Sequence, residues 1–360
     1  MAKARTVVGL DVHAAKVVAA VLDAETGELQ FFGMEMDVDR VAGFCAALPG
    51  RVRAVYEAGP TRYGLARALA KRRVECVVAA PSKIPRGSGE RVKTDRRDAE
   101  LLARLLVAGK LHPVRVPGAD EEALLDLVRA REAVRQDLMR CRHRLSKLLL
   151  RRGIRFEDGD AWTDRHRRWL DQVVLTWPAA QATLEDAKGA IDVLAHRREH
   201  LEREILALLP GSPWSVQIGR LRCLRGIDTL SAVGLCAEVG DFERFAKPGQ
   251  LMSYVGLVPS EATTGQQRKL GSITKTGSAH ARRLLVEASW HYRKAPRIGK
   301  TLTERQDGQP PAAIAIAWTA QRRLYRVWTR MQQRNKRRTL IAAAAARELA
   351  GFCWAICQIE

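Results

Sequence analysis

The chain is poor in aromatic residues, at 6%, and poor in acid relative to base: 40 Asp and Glu stand against 61 Lys and Arg. Its seven cysteines (45, 76, 141, 223, 236, 353 and 357) form no Cys-x-x-Cys pair. Neither a structural zinc site nor a disulfide framework is therefore expected, and a reduced, cytoplasmic compartment fits. No uninterrupted apolar run reaches the ~18–20 residues of a membrane span, so no membrane partner is expected. The opening MAKARTVVGLD meets an Asp after one short apolar run, which is not the pattern of a signal peptide. The chain does have 46% hydrophobic residues over its 360 positions, enough for packed cores and too many for global disorder. It also carries a net charge of +21. A protein this basic usually meets a polyanion, nucleic acid first; a ribosome-associated or merely basic enzyme is the alternative.

β-Branched runs predict strands at 5–11, 17–23, 29–36, 52–57 and 74–80, with helices at 38–48 and 61–72. This order gives a mixed sheet with helical crossovers between its later strands. A basic Gly/Ser-rich loop follows at 81–94, then a helix capped by Thr94 or Asp95, with Leu101, Leu102, Leu105 and Leu106 as its apolar stripe. Asp11 ends the first strand and Glu57 the fourth, while Asp95 and Asp98 share a face of the helix start. Ligands of open sheets collect at the carboxyl ends of the strands. Four carboxylates are expected to converge there, without any basic partner nearby in sequence. Hard oxygen ligands select Mg²⁺ or Mn²⁺, and two such ions about 3.5–4 Å apart clamp the attacking and leaving oxygens of a phosphodiester. Each Asp also has a plainer reading, as a turn residue, a helix cap or a first-turn residue favoured by the dipole; Glu57, between an apolar strand and Ala-Gly-Pro, is harder to read so.

The middle of the chain predicts two long amphipathic helices, 119–153 and about 180–209, joined by a Trp-rich connector at 161–178. Between 129 and 155 there are ten Arg or Lys against two acids. An antiparallel coiled-coil arm is expected, serving oligomerisation, nucleic-acid tracking, or both. Residues 219–245 read as helix, turn, helix. The turn Arg225-Gly226-Ile227-Asp228 resembles a helix-hairpin-helix that presents backbone N–H groups to a phosphate. Asp228 stands where a second glycine is common, and an ordinary helical corner is the alternative. A polar loop spans 259–280. The cations in it and just after it, Arg268, Lys269, Lys275, Arg282 and Arg283, suit a phosphodiester. Its hydroxyls at Ser260, Thr263, Thr264, Ser272, Thr274, Thr276 and Ser278 are candidate nucleophiles or phosphate ligands. The helical tail 312–350 interleaves Trp318, Tyr325 and Trp328 with Arg and Lys. From 312 to 338 it has eight such cations and no acid, which suits phosphate contacts plus stacking; core packing is the other use for its aromatics.

The segments GLDVHAAK (9–16), VYEAGPTRYGLA (55–66) and KTDRRDAELLARLL (93–106) resemble the DEDD transposases of the insertion-sequence 110 family. The stretch 250–290 is similar to the C-terminal transposase domain of the same family. The resemblance implies a RuvC-like α/β domain of the RNase H-like fold at 1–115, a helical coiled-coil arm at 116–212, and a mainly α C-terminal domain at 213–360. It implies that Asp11, Glu57, Asp95 and Asp98 hold metal. In the family a serine directly before a glycine, a few residues after Gly-Leu-x-Pro, is the nucleophile that becomes linked to DNA. Aligning GLVPSEATTG (256–265) puts Thr264 there, Thr in place of Ser. Three readings stay open: Thr264 works, Ser260 or Thr263 substitutes, or the copy is altered. The family also implies a structured guide RNA encoded by the element. The expectation is a DNA transposase acting as a homo-oligomer, dimer or tetramer, through the arm. A Holliday-junction-type nuclease that uses water, and an inactive nucleic-acid-binding relic, are the alternatives.

Overall fold

Alternation with a period of two builds the first sheet. The computed structural model describes residues 5–85, 94–262 and 269–359, and the chain folds as two compact units, 1–118 and 119–360. In the first unit, strands β1 (Thr6–Val12), β2 (Lys16–Asp23), β3 (Leu29–Glu35), β4 (Val52–Glu57) and β5 (Glu75–Ala79) lie in the order β3-β2-β1-β4-β5. The β1–β2 and β2–β3 pairs are antiparallel; β4 runs parallel to both β1 and β5. Helices α1 (Val38–Ala47) and α2 (Gly64–Lys71) cover one face, where Val8, Leu10 and Tyr56 pack with Val41, Leu65 and Leu69. Helix α3 (Asp95–Val107) covers the other, where Val7, Leu22 and Val55 meet Leu102, Ala103 and Leu106.

The stripe of α3 differs from expectation. Its buried residues are Ala99, Leu102, Ala103 and Leu106, while Leu101 and Leu105 are half-buried. The reason is backbone proximity. A Cβ on Gly9 of β1 would lie 2.0 Å from the Ala99 carbonyl oxygen and 2.7 Å from the Ala103 nitrogen. Only small side chains on both elements allow that approach.

The second unit opens with α4 (Ala119–Leu150), 32 residues long, and α6 (Pro178–Ala207), 30 residues, on either side of α5 (Asp164–Gln172). The two long helices run antiparallel: Arg131 pairs with Glu202 at 2.5 Å, and Leu145 and Leu148 share a core with Leu184. Rings of Phe156, Trp162, His166 and Trp169 cluster in the connector with centroids 4.9–5.4 Å apart.

Helices α7 (Ser215–Leu221), α8 (Thr229–Val239) and α9 (Pro248–Tyr254) follow. The expected polar loop at 259–280 contains strands β6 (Pro259–Glu261) and β7 (Leu270–Ile273), which pair as a hairpin before α10 (Ala279–Ser289). After α11 (Lys300–Gln306), the expected tail helix is two helices, α12 (Pro311–Gln333) and α13 (Arg338–Cys357). They break at Asn335, whose φ of 51° is a conformation Asn tolerates better than most residues. Helix α13 is long and apolar enough to cross a membrane by length and composition, although Arg347 and Glu348 interrupt its apolar run. Half of it is buried, and Ala346, Leu349, Ala350, Cys353 and Ile356 belong to the main core of this unit.

Candidate active site

The acids gather because of parity. Val7, Gly9 and Asp11 alternate on β1, and Val55 and Glu57 on β4, so both carboxylates belong to the face that α3 covers. Leu10 pairs with Tyr56 in the parallel ladder. The next residues, Asp11 and Glu57, are therefore neighbours at the carboxyl edge of the sheet. The buried Tyr56 hydroxyl donates to the Arg62 carbonyl at 2.8 Å and ties down the loop after Glu57. On α3, Thr94 caps the helix by accepting from Arg97 N, which leaves Asp95 and Asp98 in the first turn with other work. The Gly9–Ala99 contact seats that turn beside Asp11.

Two basic side chains complete the cluster and correct the expectation that no basic partner stands near the acids in sequence. His13 N donates to the Lys16 carbonyl at 2.9 Å, closing a tight turn between β1 and β2 that sets both side chains at the acid edge. His13 Nε2 lies 3.2 Å from Asp11 Oδ2 and 3.7 Å from Asp95 Oδ1; Lys16 Nζ lies 2.5 Å from Asp95 Oδ2. Burial pushes the Asp11 carboxyl up; His13 opposes this and the Asp95 and Asp98 charges reinforce it. The hydrogen bond from Lys16 is the main cause holding Asp95 below the usual carboxylate range, and the same bond raises Lys16. Ligand atoms of Asp11, His13 and Asp95 all lie within 4.8 Å of one another. Carboxylate oxygens at this spacing, with a third acid next in register, are a donor set that fits a hard divalent cation.

The remaining predicted residues lie apart from this cluster in sequence and in the second unit. Thr264 and Arg268, with Thr263 and Gly265, lie outside the described residues. Lys269 and Lys275 are exposed on the hairpin and after it. Two of the expected phosphate cations are spent within the protein. Arg282 Nη1 donates to the Val255 and Thr276 carbonyls at 2.9 and 2.8 Å, fixing the base of the hairpin. Arg283 donates to Glu132 and Glu287, both at 2.6 Å. Glu132 belongs to a buried network in which His280 lies between it, at 3.6 Å, and Glu238, at 3.4 Å. Arg129 and Arg135 complete this network. Gly226 has φ 84°, and a Cβ there would lie 2.6 Å from the Ala288 carbonyl oxygen. Its glycine is required for packing the α7–α8 turn on α10. Trp328 is buried and packs against Trp290 with ring centroids 5.3 Å apart and planes tilted by 58°, so it is core rather than a stacking platform; Trp318 and Tyr325 are half-buried.

Sequence reasoning missed Gly9, His13 and Lys16. A glycine inside a β-branched strand signals a close backbone approach, and His13 and Lys16 stand within five residues of Asp11.

Comparison with known proteins agrees with both halves. A family model described as a transposase, of the DEDD type of insertion sequence 110, matches residues 8–152, and one described as the transposase IS116/IS110/IS902 family matches 219–303. The chain is similar to the putative transposase y4qE of Sinorhizobium fredii (strain NBRC 101917 / NGR234), 41% identical over 356 residues, covering 98% of this chain and 88% of the relative. It is also similar to the transposase for insertion sequence element IS1533 of Leptospira borgpetersenii, 30% identical over 342 residues, covering 93% and 99%.

Proposed function

The chain belongs to the IS116/IS110/IS902 family of transposases, and we propose that it cuts and rejoins DNA strands with a protein hydroxyl as nucleophile and an acid cluster that holds divalent metal. A DEDD transposase domain implies a RuvC-like fold and dependence on a divalent ion. The observation that carries the reading of this site is the meeting of Asp11 and Asp95 at the sheet edge, with Glu57 next in register and Asp98 one helical turn on.

Asp11, Glu57, Asp95 and Asp98 are the residues that would hold Mg²⁺ or Mn²⁺. When bound, such an ion stabilises charge on the phosphodiester and on the departing oxygen. His13 orients the Asp11 carboxylate through its hydrogen bond. Thr264 supplies the hydroxyl: its oxygen bonds to phosphorus, the bond to the 3′ oxygen breaks, the hydroxyl's proton is balanced by one taken up on the departing 3′ oxygen, and the strand stays on the protein as a phosphodiester. A 3′ hydroxyl of the partner strand then reverses the step and frees the threonine. Lys269 and Lys275 hold phosphate oxygens, as does Arg268. The three parts of the chain, 1–115, 116–212 and 213–360, act as catalytic domain, coiled-coil arm and hydroxyl-bearing domain. The arm joins copies of the chain into a dimer or tetramer. The basic faces of α4 and α12 carry a structured guide RNA that chooses donor and target, in the cytoplasm. The α7–α8 turn is a helix-hairpin-helix against backbone phosphate.

The test is Asp11→Ala. Strand exchange between cognate DNA ends in Mg²⁺ should be abolished, while binding to nucleic acid, carried by cations, is retained. Exchange at the wild-type rate by Asp11→Ala would overturn the site.

A further inference from the structure

The acid edge contains its own cation. Lys16 is the first residue of β2, its place is fixed by the backbone bond between His13 and Lys16, and its ammonium contacts Asp95 Oδ2 at 2.5 Å. Asp95 Oδ1 faces His13 at 3.7 Å, so both oxygens of this carboxylate are engaged from the same turn. Mg²⁺ takes carboxylate oxygens at roughly 2.0–2.1 Å. It and an ammonium cannot both sit against one oxygen along the same approach, and like charges this close repel.

We infer that Lys16 is the resident counter-ion of the acid cluster, and that a divalent ion binding through Asp95 must displace it. This rests on the reading of Asp11 and Asp95 as metal-holding residues. Its consequence is that Lys16 weakens metal affinity while holding the acid cluster together in the metal-free protein. The two ends of one tight turn thereby take opposite parts. His13 steadies a carboxylate for the ion, and Lys16 competes with the ion for another.

The experiment uses the full-length protein, stripped with EDTA and without nucleic acid. Mn²⁺ is titrated in, and free Mn²⁺ is read by electron paramagnetic resonance. Lys16→Met should bind Mn²⁺ about three- to tenfold more tightly than wild type, the scale in water of one exposed positive charge displaced to roughly 6–12 Å from a dication. Lys16→Arg, which keeps the charge, should stay near wild type. Melting gives a second readout. In EDTA, Lys16→Met should melt below wild type, and Mn²⁺ should recover the loss; a merely structural role would leave the deficit in both conditions. Unchanged or weaker Mn²⁺ binding by Lys16→Met overturns the inference. Asp11→Asn separates the two failures. If it binds Mn²⁺ as wild type does, the acid-site reading itself falls. If it loses Mn²⁺ while Lys16→Met is unaltered, only the role of Lys16 falls.

Discussion

Gly9→Ala is the smallest change expected to disable the site without touching an acid. The added methyl would lie 2.0 Å from the Ala99 carbonyl oxygen, where ordinary contact begins at 3.4 Å. Helix α3 must therefore retreat by about 1.4 Å, because the atoms it meets are backbone and have no rotamer to change. Overpacking of this kind costs about 1–3 kcal/mol. For a unit of this size that is a fall of roughly 5–15 °C in melting temperature. The same retreat carries Asp95 and Asp98 away from Asp11 and Glu57. A misplacement of ~1 Å in a catalytic constellation costs on the order of 100-fold in rate. Gly33→Ala in β3 is the matched control, since a Cβ there has no heavy atom within 4 Å. Scanning calorimetry and a strand-exchange assay on plasmid-borne element ends should show both losses for Gly9→Ala and neither for Gly33→Ala. A Gly9→Ala protein that melts and recombines like wild type would refute the account of how α3 is seated.

Three further outcomes are expected. Burial would raise Glu132 and Glu238, but hydrogen bonds and charges from Arg135, Arg283 and His280 on the first, and from His280 and Arg129 on the second, outweigh it and hold both at about 2. Their folded values lie below an unfolded value near 4.5, so their stabilisation is complete above that pH and drains away as pH falls toward 2; a urea midpoint flat from pH 6 down to pH 3 would contradict this. Thr264→Ser should keep or raise the yield of covalent protein–DNA adduct, because losing the β-methyl eases in-line attack, and Thr264→Ala should remove it; loss in Ser260→Ala instead would move the nucleophile. Lys275→Ala should lower the salt slope of DNA binding by about one, with little change in melting, whereas Arg283→Ala should cost roughly 1–3 kcal/mol of stability by leaving Glu132 with fewer partners; the reverse pattern in the two variants would show that their assignments are exchanged.

What the sequence made legible follows from which interactions are local. Strand alternation and the Thr94 cap are short-range signals, and they placed Asp11, Glu57, Asp95 and Asp98 at strand ends and a helix start. The fates of Arg282 and Arg283 were not legible. Their partners, Val255, Thr276 and Glu132, lie from six to 151 residues away, and a basic residue beside a polar loop looks the same whether it faces a phosphate or a buried carboxylate. Trp328 was obscured for the same reason, since its neighbour Trp290 lies on another element. The stripe of α3 was misjudged by favouring leucine. On a sheet that admits the helix backbone this closely, alanine marks the contact face.

Helix α13 has a consequence in time as well as in space. Its alanines and Leu349, Cys353 and Ile356 complete a core that begins with Leu124 and Val128 at the other end of the second unit. Synthesis runs from the N-terminus, so the first unit has its whole core by residue 118 and can fold while the rest is still being made. The second unit must hold its apolar surfaces unfinished through more than two hundred further residues, until 338–357 emerges. A ribosome that has made the acid edge has thus completed the core of the first unit long before that of the second.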